Sequence, residues 1–485
     1  MKIATAKAKD VKRAIQSHVG TAKWQAFVPP LLREPLGQAL YAYNAGDHKT
    51  ALYWFGKCAA IDPYSKPVLY FGSSSAASAY QQLRATQPDS PELAGWRECA
   101  ETLVRAAYEI APEDAVACHN VGKFLHDDGR DAEAIPFYRE AVRLEPSTIE
   151  SWGNMGAACY TLGSPEEANA CWDECLKYPA TRGSEMIAQA YILLRREQYP
   201  DGWARLEGRW TDRDFLMSYG RQDLRKPLWD GTPLKKKQAL LIHGEQGLGD
   251  HVQFARYVRE VQAKGIPIAG IETQPTLKRW MQGCFPDLPV FLRGDATGFS
   301  HHVTSQSLAH LLGTTFDTIP EPVAPPVKPK RLTDGFAVGL VWHGATGNTA
   351  DYQRSIPHEA LRWLKDANVR WVNLQYHPQA LLRGRAWLDN DMVDGVSEAR
   401  DVLDTAAVIK GCDLVVTVDT LVAHLAGSLG VPTIALHRFH REWRWGKPER
   451  DRTPWYPSHR MFTQPAPFVW EPVLAEVRNF LRDAT

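Results

Sequence analysis

The chain has 485 residues, of which 44% are hydrophobic and 23% charged, and its 56 Lys and Arg residues balance 56 Asp and Glu residues. This length predicts two to four domains, and the neutral charge excludes a global attraction to nucleic acid or to an anionic membrane surface. The basic amino terminus lacks the apolar segment of a signal peptide, and no apolar run reaches the length of a membrane span. We therefore expect a soluble, cytoplasmic protein.

The amino-terminal half contains an internal repeat. Two consecutive units begin at Ala115 and Ile149 and align in register. Small residues recur where the two helices of a unit touch, and an aromatic residue fills the gap to the next unit. The glycines at the turns tolerate positive φ. The pattern over 115–178 resembles the tetratricopeptide repeat, whose helical pairs stack into a superhelix with a concave groove. The matched positions are Asn120 and Asn154, Gly122 and Gly156, Gly129 and Gly163, Ala134 and Ala168, and Tyr138 and Trp172.

The neighbouring segments extend this array. Residues 45–63 fit the second half of a unit, residues 66–112 resemble a unit with an insertion, and a diverged helical pair ends at Trp210. We predict an amino-terminal extension at 1–31 and tetratricopeptide-like helical repeats at 32–214. Such repeats either bind a peptide segment of a partner or only support the rest of the chain, and the first interpretation is favoured.

The carboxyl-terminal half alternates between strand and helix signals. Runs such as QALLIHG, IPIAGIET, FAVGLVWHG and DLVVTVDT are strand-like, and helical segments lie between them. This alternation predicts βαβ units and parallel sheets. The proline-rich segment 318–331 cannot form an interior helix or a central strand, so it predicts a stiff connector. We expect two Rossmann-like lobes, at 225–317 and 332–485, with ligands at the carboxyl ends of their strands.

The stretch HGEQGLGD follows the first predicted strand and precedes a helix. Asp250 either caps this helix or serves as a reactive carboxylate. The two interpretations are compatible, because the positive end of a helix favours an ionised carboxylate. Gly247 and Gly249 are expected to leave room for substrates beside the backbone.

A second motif lies in the second lobe. Asp419 and Thr420 end a buried strand, and a helix starts at once, so the free N–H groups of its first turn favour an anion. His424 lies one helical turn further on the same face. A lone Asp here would usually be a helix cap, but His424 and the small residues Ala423 and Gly427 favour a binding site.

The second motif resembles the D-T-x-x-x-H-x-A signature of the glycosyltransferase family 9, or heptosyltransferase-like, proteins. The segment HGEQGLGDHVQFARYV resembles the G-x-G-D motif of their amino-terminal lobe, and VGLVWHG, RSIP, LQ and DTAA match in order. The combination is similar to bacterial tetratricopeptide-repeat glycosyltransferases and, in layout, to O-GlcNAc transferases.

This resemblance implies a GT-B fold, a nucleotide-sugar donor held mainly by the second lobe, inverting transfer and no required metal or other cofactor. It implies that Asp250 is the catalytic base. Arg354 suits a diphosphate through its planar fork, although by itself it is equally well a solvated surface residue. The implied donor-site residues are Gly344, Arg354, Gln375, Asp419, Thr420 and His424, and the implied acceptor or phosphate-loop residues are Gln246, Gly247, Gly249 and His302.

The basic and aromatic stretch 437–452 has two interpretations of similar weight. It forms a wall of the donor site, or it is a loop packed by Trp443 and Trp445 with its charges in water. Contact with a nucleic-acid backbone is a weaker alternative. The D-x-D pairs 212–214 and 389–391 follow no predicted strand, and Cys171 and Cys175 lack further ligands of zinc spacing, so we expect no metal site.

The predicted function is transfer of a sugar from a nucleotide sugar to an acceptor hydroxyl. The favoured acceptor is a protein Ser or Thr presented by the repeat region, and the partners are therefore the donor and a protein or peptide. Alternatives are transfer to a glycan, a lipid-linked sugar or a modified nucleic-acid base, or a non-catalytic repeat scaffold with a relict transferase.

Overall fold

The chain forms two compact units, one that ends at Tyr178 and one that begins at Pro179. Each unit has its own arrangement of secondary structure. A computed structural model describes residues 30–44, 47–62, 66–86, 91–180, 182–212, 215–216, 219, 226–245, 247–344, 351–365, 367–376, 392–447 and 449–484.

The described part of the first unit is helical, and its consecutive helices pack in pairs. Gly129 and Gly163 adopt φ of 82° and 84° in the turns within the two repeats, a conformation that glycine reaches without strain. The helices are α1 (Pro30–Asn44), α2 (His48–Ile61), α3 (Lys66–Thr86), α4 (Leu93–Ile110), α5 (Ala115–Asp127), α6 (Asp131–Leu144), α7 (Ile149–Thr161) and α8 (Pro165–Lys177).

Small residues and aromatic rings interlock in the repeats, as predicted. A Cβ atom added to Gly122 would lie 2.9 Å from the Tyr138 ring, and one added to Gly156 would collide with the indole of Trp172. Both aromatic side chains are buried. A glycine is therefore needed at each of these helix contacts because the ring occupies the space of a side chain.

The second unit begins with the helical pair that the sequence suggested as the end of the repeat array. Its helices are α9 (Gly183–Arg195) and α10 (Tyr199–Leu206), followed by a 3₁₀ helix at Glu207–Thr211. Trp203 of α10 is 1% exposed, and its ring centroid lies 6.0 Å from that of Phe254 and 6.3 Å from that of Trp455. Apolar burial thus attaches this pair to the sheets of the second unit.

The first sheet of this unit is parallel, with strand order β3-β2-β1-β4. In register, His243 at the end of β1 lies between Glu272 of β2 and Thr304 of β4. The elements are β1 (Leu240–His243), α11 (Leu248–Phe254), α12 (Arg256–Ala263), β2 (Ile268–Thr273), α13 (Lys278–Cys284), β3 (Val290–Leu292), β4 (His301–Thr304) and α14 (Ser307–Leu311).

The proline-rich connector contains no strand and no helix between residues 319 and 336. The connector packs against its neighbours through a buried side chain and hydrogen bonds. The side chain of Val323 is buried, the backbone N–H of Lys330 donates to the carbonyl of Ala407 at 2.8 Å, and Arg256 donates to the carbonyls of Pro320 and Trp455 at 2.8 and 3.0 Å.

The second sheet is also parallel, with strand order β10-β9-β8-β5-β6-β7. Because Val341 of β5 pairs with Thr417 of β8, the segments that follow both strands emerge at the same edge. The elements are β5 (Ala337–Val341), α15 (Asp351–Arg354), a 3₁₀ helix (His358–Leu364), β6 (Arg370–Asn373), β7 (Val393–Asp394), α16 (Val402–Gly411), β8 (Leu414–Val418), α17 (Leu421–Ser428), β9 (Thr433–His437), a 3₁₀ helix (Trp443–Trp445), β10 (His459–Thr463) and α18 (Glu471–Ala484).

The predicted fold class, helical repeats followed by parallel α/β sheets, is confirmed. The described residues contain no helix that is both long and apolar enough to cross a membrane.

Candidate functional site

The loop after β1 is anchored by a buried ion pair that the sequence did not indicate. The Nε of Arg209 lies 2.8 Å from Glu245 Oε2, and its Nη1 lies 2.6 Å from Glu207 Oε1. Arg209 is 1% exposed. Burial raises the pKa of Glu245, and the Arg209 guanidinium opposes this rise. The pair holds the loop between β1 and Asp250 against the 3₁₀ helix at Glu207–Thr211.

Asp250 is the third residue of α11 and not its cap. Gly247 occupies the N-cap position, and no side chain caps this helix. The Asp250 carboxylate instead forms an ion pair with Arg444, with 2.7 Å between Oδ1 and Nη2, and 18% of its side chain is exposed. Asp250 therefore faces a cation supplied by the loop that follows β9.

The two predicted motifs meet at a helix contact. A Cβ atom added to Gly249 would lie 2.6 Å from Cδ2 of His424, so α11 and α17 approach closely here. The His424 ring shares a hydrogen bond of 3.0 Å with the Tyr456 hydroxyl and stacks on Trp445 at 5.2 Å. Burial lowers the pKa of His424 to about 3, so the ring is neutral at physiological pH.

The start of α17 presents open backbone donors. Thr420 is its N-cap residue, but its side chain makes no capping hydrogen bond, and its hydroxyl instead lies 3.2 Å from that of Thr417. Asp419 precedes it, directly after β8. The N–H of Ala423 donates to the Thr420 carbonyl at 3.1 Å, so the earlier N–H groups of the first helical turn are the ones that can face an anion or polar ligand oxygens.

Arg354 belongs to a polar cluster at the same edge of the second sheet. Its Nε donates to Asp351 Oδ1 at 3.0 Å, and Asp351 also accepts a hydrogen bond from Ser355 at 3.0 Å. The Ser355 hydroxyl in turn accepts the backbone N–H of Gly344 at 3.0 Å. A Cβ atom on Gly344 would lie 2.5 Å from Arg354 Nε, so this close approach requires glycine.

The side chain of Gln375 forms hydrogen bonds with the backbone that follows β5. Its Oε1 accepts the N–H groups of His343 and Trp342 at 3.0 and 3.2 Å, and its Nε2 donates to the His343 carbonyl at 3.1 Å. The side chain is buried. Gln375 therefore positions the segment that leads to Gly344, and its direct contact with the donor stays a prediction.

Two further predicted residues, His302 and Gly247, take no part in the contact between α11 and α17. His302 is a buried residue of β4, and its ring bonds to that of His243 at 3.1 Å. Gly247 has ordinary backbone geometry, with φ of −65°, and an added Cβ would meet Asp250 Oδ2 only at 3.7 Å. Gln246 lies outside the described residues, as do one residue of the 212–214 pair and both of the 389–391 pair.

The basic and aromatic loop is packed by its tryptophans, as one interpretation held, but not all of its charges lie in water, since Arg441 is buried and Arg444 is only 15% exposed. Trp443 and Trp445 are buried, while Arg444 between them reaches the site. Glu442 was missed by the sequence analysis. Although burial opposes its charge, Asp250 and Glu442 raise the pKa of Arg444. Burial raises the pKa of Glu442, and Arg444 opposes that rise.

Helix α9 supplies one wall of this site. The Tyr191 ring stacks on that of Trp443, with 6.4 Å between centroids and 15° between planes, and 37% of Tyr191 is exposed. Tyr191 was not predicted because its helix was assigned to the repeat array. The site thus combines segments from α9, α11, α17 and the loop after β9.

Comparison with known proteins identifies two regions of the chain. Residues 115–148 match the tetratricopeptide repeat, and residues 401–466 match "Glycosyltransferase family 9 (heptosyltransferase)". The chain therefore combines a tetratricopeptide repeat with a glycosyltransferase family 9 region, which supports a glycosyltransferase. The second region contains Asp419, Thr420, His424 and Arg444, whereas Asp250 lies outside it.

Similarity to one protein extends over most of the chain. Protein FlbA of Caulobacter vibrioides is 26% identical over 458 residues, which are 84% of this chain and 75% of FlbA. A stretch of 64 residues, 13% of this chain, is 33% identical to 11% of the peroxisomal targeting signal receptor of Candida albicans. A thermophilic TPR protein of Thermus thermophilus aligns over its whole length with 39% of this chain, at 18% identity and a TM-score of 0.32.

Proposed function

We propose that the protein is an inverting glycosyltransferase with a GT-B arrangement of its two sheets. The observation that carries the proposal is the contact between α11, which bears Asp250, and α17, which begins after Asp419 and Thr420 and bears His424 of the D-T-x-x-x-H motif. A carboxylate and an open helix N-terminus therefore lie in one site. Transfer of a sugar to a hydroxyl needs both a base for the acceptor and stabilisation of the leaving phosphate.

The donor is a nucleotide sugar held by the second sheet. Its diphosphate is placed at the N-terminus of α17, where the N–H groups and the helix dipole favour negative charge. Arg354 supplies a guanidinium to the same phosphates, oriented by its bond to Asp351 at 3.0 Å. The proposal assigns the positive charge of the donor site to these protein groups rather than to a metal ion.

The reaction is a single displacement. The acceptor hydroxyl gives its proton to Asp250, and its oxygen forms a bond to the anomeric carbon of the sugar. The bond from that carbon to the phosphate oxygen breaks, and the nucleoside diphosphate leaves with the electron pair. Attack from the side opposite the leaving group inverts the anomeric centre. His424, neutral and clamped between Tyr456 and Trp445, shapes the floor of this site.

The favoured acceptor is a protein Ser or Thr. The tetratricopeptide repeats support this choice because grooves of stacked helical pairs fit peptide-sized segments. A glycan, a lipid-linked sugar and a modified nucleic-acid base are the competing acceptors, and transfer assays with each class distinguish them.

The test is the Asp250→Asn variant with a panel of nucleotide sugars. We expect one donor to raise the melting temperature of both wild type and variant, and the variant to lose about 100-fold or more of the transfer or donor-hydrolysis rate. Asp287→Asn, a change at an exposed position, is the control and should keep the parental rate.

Two outcomes would contradict the proposal. If Asp250→Asn turns over at the parental rate, Asp250 is not the base. If no nucleotide sugar stabilises either protein and none is turned over, the chain is a repeat scaffold with a relict transferase.

A further inference from the structure

We propose that Arg444 exchanges between Asp250 and the donor diphosphate, so that binding of the donor frees the catalytic base. This inference rests on the proposed function and assigns Arg444 a second partner. It predicts an order of events in which the donor binds before the acceptor is deprotonated.

The backbone of Arg444 is fixed while its guanidinium reaches solvent. Arg444 lies in the 3₁₀ helix Trp443–Trp445, whose flanking tryptophans are 2% and 1% exposed. Glu442 accepts the backbone N–H of Arg444 at 2.8 Å. The guanidinium lies over the Trp443 ring at 4.4 Å, and 15% of the side chain is exposed. Rotation about the side-chain bonds can therefore redirect the guanidinium without moving the loop.

The charges around Arg444 favour such a movement when an anion binds. The Arg444 guanidinium interacts electrostatically with Asp250, Glu442 and Asp419, while the neighbouring His424 is neutral. Three carboxylates thus outnumber this one cation. A diphosphate at the start of α17, directly after Asp419, would lie close to these carboxylates, and a further guanidinium turned towards it would offset their repulsion.

Asp250 is the partner that Arg444 can release. The Glu442 carboxylate is held in its own turn because it accepts the backbone N–H of Arg444. Asp250 makes no such backbone bond in the described part of the chain, and its Oδ1 is taken by Arg444 Nη2. While Oδ1 accepts the Arg444 guanidinium, that cation competes with the hydroxyl of an acceptor for the Asp250 carboxylate. When Arg444 turns to the diphosphate, that competition ends.

The experiment measures nucleoside diphosphate binding by calorimetry, using ADP, CDP, GDP and UDP and continuing with the tightest. Arg444→Gln is expected to weaken binding about tenfold, and Asp250→Asn to tighten it about fivefold because Arg444 no longer has a competing partner. In the Asp250→Asn/Arg444→Gln double variant the gain should disappear, and the double variant should bind like Arg444→Gln alone.

The double variant distinguishes exchange of Arg444 between two partners from the simple loss of a negative charge at position 250. If Asp250→Asn tightens binding equally with and without Arg444, the gain is only the loss of a negative charge, and the exchange is overturned. Arg444→Met, which keeps an unbranched stem on Trp443, serves as a second variant if Arg444→Gln does not fold. Asp287→Asn is the control and should leave the affinity unchanged.

The outcomes also distinguish this inference from the proposed function. Failure of the folded wild-type protein to bind any of the four nucleotides would overturn the donor site and the exchange together. Binding without coupling between Asp250 and Arg444 would overturn the exchange alone.

Discussion

Gly249 lies where the first-sheet and second-sheet parts of the site touch. The sequence suggested that this glycine leaves room for substrate, but the space beside it is occupied by His424. That ring cannot easily yield, because the Tyr456 hydroxyl and the Trp445 indole hold it on two sides. Gly249 is thus a packing residue that sets the distance between α11 and α17.

We predict that Gly249→Ala destabilises the protein by about 1–3 kcal/mol, because its methyl group would lie 2.6 Å from the His424 ring. The measurement is urea unfolding. Gly247→Ala is the matched control in the same motif. Its methyl group would have space, so it should cost only the replacement of glycine by alanine at the N-cap, about 1 kcal/mol or less. Equal stability of both variants would show that α11 and α17 do not pack closely in solution.

Helices α9 and α10 follow the repeat pattern in sequence, but they pack against the sheets of the second unit. Their spacing and length continue the repeats along the chain. Their apolar faces, however, carry Tyr199 and Trp203, which join the same core as the strands of both sheets, and Tyr191, which stacks on Trp443. The 3₁₀ helix after α10 adds Arg209, the partner of Glu245.

We predict that a chain beginning at Pro179 folds with a cooperative thermal transition, whereas a chain beginning at Lys226 does not fold stably. The shorter chain loses Trp203 and leaves Glu245 buried without Arg209. An unpaired buried charge alone costs about 3–5 kcal/mol, or roughly 10 °C in melting temperature for a domain of this size. Circular dichroism melting is the measurement.

A second variant separates the two causes in the shorter chain. Glu245→Gln removes the unpaired charge but not the lost apolar contacts, so it should recover only part of the stability. If the chains beginning at Pro179 and Lys226 melt alike, α9 and α10 do not belong to the second unit.

At the scale of the whole molecule, the two units differ in their buried histidines. In the second unit, burial lowers the pKa of His251 and His459 to about 4 and that of His424 to about 3, and it lowers the pKa of His437 well below its usual value. His119 and His126 of the first unit are only partly buried. These four histidines therefore stay neutral in the folded state at pH values where the unfolded chain binds protons.

We predict that the second unit loses stability as the pH falls from 7 towards 4.5. A histidine whose pKa is lowered by folding stabilises the protein above its unfolded pKa of about 6.5, and this stabilisation is lost as the pH drops towards the folded value. Each such group contributes up to about 1.4 kcal/mol per pH unit. Hydrogen exchange read by mass spectrometry follows the two units separately.

His459→Gln isolates one of these groups, since its amide can replace the ring nitrogen that bonds to the Ala423 carbonyl at 3.0 Å. The variant should take up about one proton fewer on unfolding at pH 5. A second unit whose stability is constant between pH 7 and 5 would contradict the prediction.

The elements that depend on local periodicity could be predicted from the sequence alone. Interlocking glycines and aromatic rings at repeat spacing predicted the helical pairs, and alternating strand and helix signals predicted parallel sheets. Because carboxyl ends of parallel strands lie at one edge, the motifs at Asp419 and Arg354 could be placed together before their contacts were known.

Which charged residues form ion pairs could not be predicted from the sequence. Asp250 lies in α11, beside the first sheet, and Arg444 lies in the loop after β9 of the second sheet. Arg209 and Glu245 also lie in different segments, and no local pattern marks either pair as partners. Ion pairs form where distant segments approach within a few ångströms in surroundings of low dielectric, and that approach is set by the packing of the whole second unit. The same packing places α9 and α10 against the sheets of the second unit. It also lets the side chains of Gln375 and His302 form hydrogen bonds within the protein.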